Sequence, residues 1–249
     1  MTKTFIDPLQ DGISKIELIR ASGSDLDVAN AARVSFGGWN QTFTEKDEKL
    51  IRYLIKHEHT SPFEHNQLSY RIKVPIYIIR QWMRHRVGVS YNEISGRYAE
   101  LPMDFYVPKS WRTQDLSNKQ GSVEALGETD TKNREAYIKS LETAKDSYKK
   151  LLAEGVCREL ARGVLPLCTY TEFIFTCNLV SLFHFVRLRS DHHAQWEIQQ
   201  YAVGLLELAQ EHFPTSIKNW AKLKGIELKQ IEKGTTINTN IESRSTQIL

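Results

Sequence analysis

The chain is expected to be α+β, a single domain with a small mixed or antiparallel sheet among many helices. Two stretches carry the two-residue alternation of a half-buried strand. They are Gln67 to Val74, with Leu68, Tyr70, Ile72 and Val74, and Cys168 to Cys177, with Thr169, Thr171, Phe173 and Phe175 at alternate positions. Longer stretches, 132–154 and 195–212, instead space their apolar residues three and four apart, as helices do. Strands are few, helices many, and their order is mixed.

Taken in order, Lys15 to Arg20 is a short strand with Ile16, Leu18 and Ile19 as its apolar members. Ser24-Asp25 then caps a helix through Ser35, stopped by Gly37-Gly38. Thr44 with Asp47 three residues on resembles a capping box and opens a helix with Leu50, Ile51, Leu54 and Ile55 on one face. His57 to His65 is a loop around Pro62. After the strand at Gln67, Pro75 suits a first helical turn, and Ile76, Ile79, Trp82 and Met83 form the buried stripe. Gln81 and Arg84 share another face of that helix, which runs into a loop from His85. Lys109 to Thr131 is polar with little periodicity and is expected to be a mobile insertion. A long helix, Lys132 to Glu154, stops at Gly155. A short helix carries Arg158 and Arg162 on one face and ends at Pro166. Helices are then expected at Leu179 to Arg189, Gln195 to His212, and Ile217 to Lys224 capped by Thr215-Ser216. Residues 1–225 form the domain, and 226–249 a polar tail to which no function is assigned.

A chain of 249 residues can bury a sizeable core. Its net charge of +3 is too small for a protein whose main work is gripping a nucleic-acid backbone. The most apolar run, Phe173 to Leu188, is interrupted by polar residues and too short to span a bilayer, and the first residues lack a signal peptide's apolar core. A soluble, cytoplasmic protein is expected. Three widely spaced cysteines, Cys157, Cys168 and Cys177, make neither a disulfide framework nor a zinc knuckle.

The chemistry concentrates in Gln81 to Tyr98, where Arg84, Arg86 and Arg97 stand among apolar anchors. Guanidinium forks favour planar and phosphate-bearing partners, so this stretch is a candidate wall of an anionic-ligand site, with a merely solvated basic face as the plain alternative. Arg162, and Arg189 at the end of an apolar helix, extend the set. Neither G-x-G-x-x-G nor a P-loop is present. His57, His59, His65, His192 and His193 could ligate a metal, but no pair has the i, i+4 helical spacing of a zincin motif, and none is expected. A nucleic-acid binder using Trp82 and Tyr91 as stacking platforms is a further alternative.

Arg84-His-Arg86 followed by Ser90-x-Asn92-Glu93-x-Ser95-x-Arg97-Tyr98 resembles the signature of the flavin-dependent thymidylate synthases. Ala32 to Phe36, Ser61 to His65, Arg162-x-x-Leu-Pro166, Asn178, Leu188-Arg189-x-Asp191 and His193 to Gln200 recur in order, covering about residues 15 to 215. The resemblance implies a thymidylate synthase-complementing-protein-like fold and reductive methylation of dUMP to dTMP. Methylenetetrahydrofolate would donate the carbon, and FAD reduced by NADPH the hydride. It implies FAD contacts from Ser61, Arg84, His85, Arg86, Glu93, Asn178, Leu179, Val180 and His184. For dUMP it implies Gln81, Arg84, Glu93, Ser95, Gly96, Arg97, Arg162 and Arg189, with Arg189 stabilising charge on the uracil. It also implies a homotetramer whose sites draw on several subunits, acting on small molecules rather than on nucleic acid or membrane. A different flavoprotein or nucleotide methyltransferase on the same scaffold is the nearest rival. This chain departs from the pattern by one residue. Three residues, Val87-Gly88-Val89, separate Arg86 from Ser90 where the family has two, and a bulge at Gly88 is expected. Ser61 stands where a threonine is frequent, which keeps the hydroxyl.

Overall fold

A computed structural model describes residues 5–119, 121–125 and 130–228. Five strands make one antiparallel sheet: β1 (Phe5–Ile6), β2 (Lys15–Ser22), β3 (Gln67–Pro75), β4 (Val89–Glu93) and β7 (Tyr170–Cys177). Their order is β1-β2-β3-β7-β4. The expected alternation decides the two faces. Tyr70 pairs with Phe175 and Ile72 with Phe173 on the apolar face, and the Tyr70 and Phe175 rings stack at 6.2 Å. On the other face Ser69 and Thr176 share a hydroxyl hydrogen bond of 3.0 Å, and Arg71 pairs with Glu172 at 2.7 Å.

Helices α3 (Ile76–Trp82), α6 (Leu179–Arg189) and α7 (Trp196–Ala209) supply much of the core on the apolar face. Helix α7 sends Ile198, Tyr201, Ala202, Leu205 and Leu206 inward, all fully buried. Two tyrosines tie it to the sheet without leaving a buried hydroxyl idle. Tyr70 donates to the Leu205 carbonyl at 3.1 Å, and Tyr201 to the Lys73 carbonyl at 2.7 Å.

Helices α1 (Asp25–Arg33), α2 (Glu45–Lys56) and α8 (Pro214–Lys224) pack beside this core. Helix α1 ends sooner than expected, passing into a 3-10 turn at Val34–Phe36 that stops at Gly37 with φ 67°. The box opening α2 is present, with the Thr44 N–H donating to the Asp47 carboxylate at 2.7 Å. The start of α8 is held by Asp25, whose carboxylate accepts from Thr215 N–H at 2.6 Å and Ser216 N–H at 3.0 Å. A cap from so far along the chain is invisible to local sequence patterns.

Asp47 is fully buried and also pairs with Arg33. Burial pulls its carboxyl up, but bonds from Thr44 and Arg33 outweigh that and leave it below its ordinary 3.8. A depressed folded-state value stabilises the fold above the carboxylate range and stops doing so as pH falls through it. Asp47→Asn is therefore expected to cost about 3 kcal/mol at pH 7. The gap to the parent protein should close below about pH 4, as urea titrations at the two pH values would show.

The stretch after α3 differs from the expected loop. Val89 to Glu93 pairs in antiparallel register with Cys177 to Phe173 and closes the sheet edge. The residues expected to form a polar insertion build a two-stranded sheet from β5 (Arg112–Gln114) and β6 (Ser122–Ala125). Helix α4 (Asp130–Ala153) follows, and then the short α5 (Arg158–Ala161). Ile226 and Leu228, the start of the expected tail, pack against the core. The rest of it, residues 229–249, lies outside the described residues. Among the described residues no helix is long and apolar enough to cross a membrane.

Candidate active site

Fully buried Trp82 ends α3, and the chain turns so that His85 donates its N–H to the Trp82 carbonyl at 3.0 Å. Tyr91, on β4, reaches over this turn and donates to the carbonyls of His85 at 2.8 Å and Trp82 at 3.2 Å. The turn is thus pinned from the sheet, which fixes where Gln81 and His85 point.

Arg189, at the last turn of α6, meets them. Its Nε donates to His85 Nε2 at 2.9 Å and one Nη to the Gln81 carbonyl at 3.0 Å. Gln81 is held in turn by Gln195, its Nε2 donating to Oε1 at 2.6 Å. Burial, then the Arg189 guanidinium and His184, push the His85 imidazole down to about 4, so it is neutral at pH 7. With Nε2 accepting from Arg189, the ring proton sits on Nδ1, and Nδ1 is buried with no partner among the described residues. Arg189 is half-buried, and its desolvation lowers its own pKa. An orphaned donor and a partly desolvated cation side by side are what an acceptor-rich, anionic ligand would complete.

A second group forms beyond the far end of β4. Glu93 accepts from the Thr171 hydroxyl at 2.6 Å. Ser95 turns the chain, its carbonyl taking the N–H groups of Tyr98 and Ala99. Gly96 is buried, and a Cβ on it would lie 3.0 Å from Leu101 Cδ1 and 3.1 Å from Arg162 Cδ, so a larger residue would press on both side chains. Arg97 pairs with Glu159 of α5 at 3.0 Å, while Arg162 is exposed with no side-chain partner among the described residues. No hydrogen bond or ion pair among the described residues joins this group to Arg189.

At the start of α6, Asn178 caps the helix by accepting from Ser181 N–H at 2.9 Å. The Ser181 hydroxyl donates to the Val87 carbonyl at 2.9 Å. Gly88 has φ 67°, and a Cβ there would overlap that hydroxyl. Both the backbone and the space at this turn therefore call for glycine. Leu179 is a core residue whose N–H is taken by Asn66 at 2.9 Å. Val180 and His184 instead line a groove of about 340 Å³ with His59, Thr60, Phe183 and Trp220. Phe183 and Trp220 stack at 4.5 Å on its wall. Ser61 is exposed at the first residue of a 3-10 turn beginning just after Thr60. Arg84 and Arg86 are exposed and unpaired among the described residues.

No thiol joins these groups. Burial pushes up both Cys168 and Cys177, and exposed Cys157 precedes α5. Two residues that brace this arrangement escaped the sequence reading. Gln195 lay inside a recognised motif but has no charge to mark it, and Tyr91 was read as an apolar anchor or stacking platform.

Comparison with known proteins bears on this arrangement. The family model for thymidylate synthase complementing protein matches residues 17–215. A flavin-dependent thymidylate synthase of Thermosipho melanesiensis is 42% identical over 221 residues, covering 87% of this chain and 95% of that protein. The enzyme of that name from Thermus thermophilus is 45% identical over 206 residues, covering 83% of this chain and 74% of that protein. Among solved structures, a UMP/dUMP methylase from Streptomyces cacaoi bound with 5-Br UMP superposes with TM-score 0.76 at 33% identity, over 85% of this chain and 95% of that one.

Proposed function

The chain belongs to the flavin-dependent thymidylate synthases, and from that premise we propose that it methylates dUMP to dTMP. The observation that carries this reading is Arg189, half-buried against His85 and Gln81 where the matched signature meets the end of α6. Methylenetetrahydrofolate is the proposed carbon donor and NADPH the proposed reductant. FAD, when bound, supplies the hydride that the amino acids cannot.

The residues fit such a cofactor. Among the described residues the Nδ1–H of His85 lacks an acceptor and Arg84 and Arg86 have no partner, which suits them to meet a diphosphate. The groove beside Val180 and His184 offers an apolar, aromatic wall. Ser61, Glu93 and the Asn178 to Val180 turn are assigned to the cofactor on the same basis, Leu179 through its backbone because its side chain is in the core.

Ser95, Gly96, Arg97 and Arg162 are assigned to the phosphate of dUMP, and Gln81, Arg84 and Glu93 to the nucleotide beside it. A uracil ring resists addition until negative charge on its carbonyl and ring nitrogen is stabilised. Two N–H groups of Arg189 already hold it in place, leaving the others to meet that charge without reorganising. Nothing here needs a cysteine nucleophile. A homotetramer in which subunits share sites is part of the same proposal.

The test is a visible spectrum of the purified protein followed by product analysis. The expected result is a flavin band that NADPH bleaches anaerobically, at a rate that changes with dUMP, and dTMP formed only when methylenetetrahydrofolate is present. Replacing His85 should weaken flavin retention. UMP should be run beside dUMP, because the solved relative is a methylase of both. A colourless protein that takes up no added FAD would overturn the reading.

A further inference from the structure

The start of α7 reaches the site with one side chain and the β5–β6 hairpin with another. Gln195 is the residue from which α7 begins, yet its side chain does not cap the helix. It turns instead to Gln81, whose Nε2 donates to Gln195 Oε1 at 2.6 Å. Among the described residues the Gln195 side chain makes no other hydrogen bond.

The backbone at Gln195 is held without help from Gln81. Gln199 donates its Nε2 to the Ala194 carbonyl at 2.6 Å and its N–H to the Gln195 carbonyl at 3.2 Å. Two residues on, the buried carboxylate of Glu197 takes Arg112 at 2.9 Å on each oxygen and the Tyr106 hydroxyl at 3.2 Å. Pulling apart a buried ion pair is costly, so the first turn of α7 keeps its place. Gln81 is gripped at its other end by Arg189, which donates to its backbone carbonyl at 3.0 Å.

With its nitrogen turned to Gln195, Gln81 keeps one amide hydrogen and its Oε1 unpaired among the described residues. A uracil ring carries the matching groups, an N3–H donor between two carbonyl acceptors. We propose that Gln195 is a positioning residue for the nucleotide. It does not touch dUMP, and it strengthens binding by fixing how Gln81 presents that donor and that acceptor. An amide held in advance loses less rotamer freedom when the ligand arrives. The inference rests on the reading of Gln81 as a contact to dUMP.

Titration of dUMP into the FAD-loaded full chain by calorimetry tests it, with Gln81→Met, Gln195→Met and the double variant beside the parent. Gln195→Met should bind dUMP about 3- to 10-fold more weakly, the scale of one hydrogen bond. KM for dUMP should rise to match, while kcat changes by less than about twofold. In the Gln81→Met background the same substitution should have no further effect, because Gln195 acts only through Gln81. Gln195→Asn keeps the amide but shortens its reach by a methylene, and should behave like Gln195→Met. Flavin content and unfolding midpoint should match the parent in both, since the fold loses a single partly exposed bond. Parental affinity in Gln195→Met would overturn the assignment, and so would an equal loss with and without Gln81. A parent chain that binds no dUMP would overturn the underlying reading of Gln81 as well.

Discussion

Arg189→Ala is expected to keep its flavin and lose dTMP formation by about 100- to 1,000-fold in kcat, the usual cost of removing one preorganised electrostatic group from a developing negative charge. The side chain makes two fixed bonds, to His85 Nε2 and to the Gln81 carbonyl, so its orientation is set before substrate arrives. Arg189→Lys should fare little better. An ammonium restores the charge but cannot reproduce a fork that grips two acceptors while presenting further N–H groups. Stopped-flow reduction by NADPH separates the outcomes: reduction should survive in both variants and product formation should not. Wild-type turnover in Arg189→Ala would remove Arg189 from the chemistry. Loss of flavin together with turnover would make it a support for His85 instead.

That arrangement was partly legible in the sequence. Gln81, His85 and Arg189 were each nominated, Arg189 because a guanidinium at the end of an apolar helix is conspicuous, and Gln81 and His85 through the resemblance. Their convergence was not, since it depends on α3 and α6 lying on one face of the sheet. The strands centred on Tyr70 and Phe175 were readable because a half-buried strand writes its burial at every second residue. Val89 to Glu93 was not. Ser90 and Asn92 are polar, and Glu93, on the same side of the strand as Val89 and Tyr91, is charged and exposed, so this edge strand looks like a loop. The cap on α8 was misplaced for a different reason, as Thr215-Ser216 supplies plausible local chemistry while Asp25 does the capping from another helix. The Arg112 to Ala125 hairpin was hidden by its polarity. One of its anchors is a fork, Arg112 to the buried carboxylate of Glu197 at 2.9 Å to each oxygen.

Trp82→Ala is expected to cost about 3 to 5 kcal/mol, the range for emptying a buried aromatic site. The indole is fully buried and meets Phe185 at 4.6 Å, Phe173 at 5.2 Å, Phe175 at 5.6 Å and Tyr201 at 5.9 Å between ring centroids. One side chain thus joins α3, β7, α6 and α7, and no neighbour can collapse into its space without leaving another contact. Function should fall with stability, because the Trp82 carbonyl anchors both the His85 turn and the Tyr91 hydroxyl. Flavin retention should therefore weaken even where the variant remains folded. Trp82→Phe discriminates packing from polarity. The indole Nε1 is buried with no partner among the described residues, so phenylalanine keeps much of the aromatic packing and removes an unsatisfied donor. Its cost should stay below about 1.5 kcal/mol, as for other near-conservative core exchanges. Urea unfolding with an unchanged slope would measure both differences. Equal losses for alanine and phenylalanine would mean that the indole nitrogen, rather than ring packing, holds this end of α3.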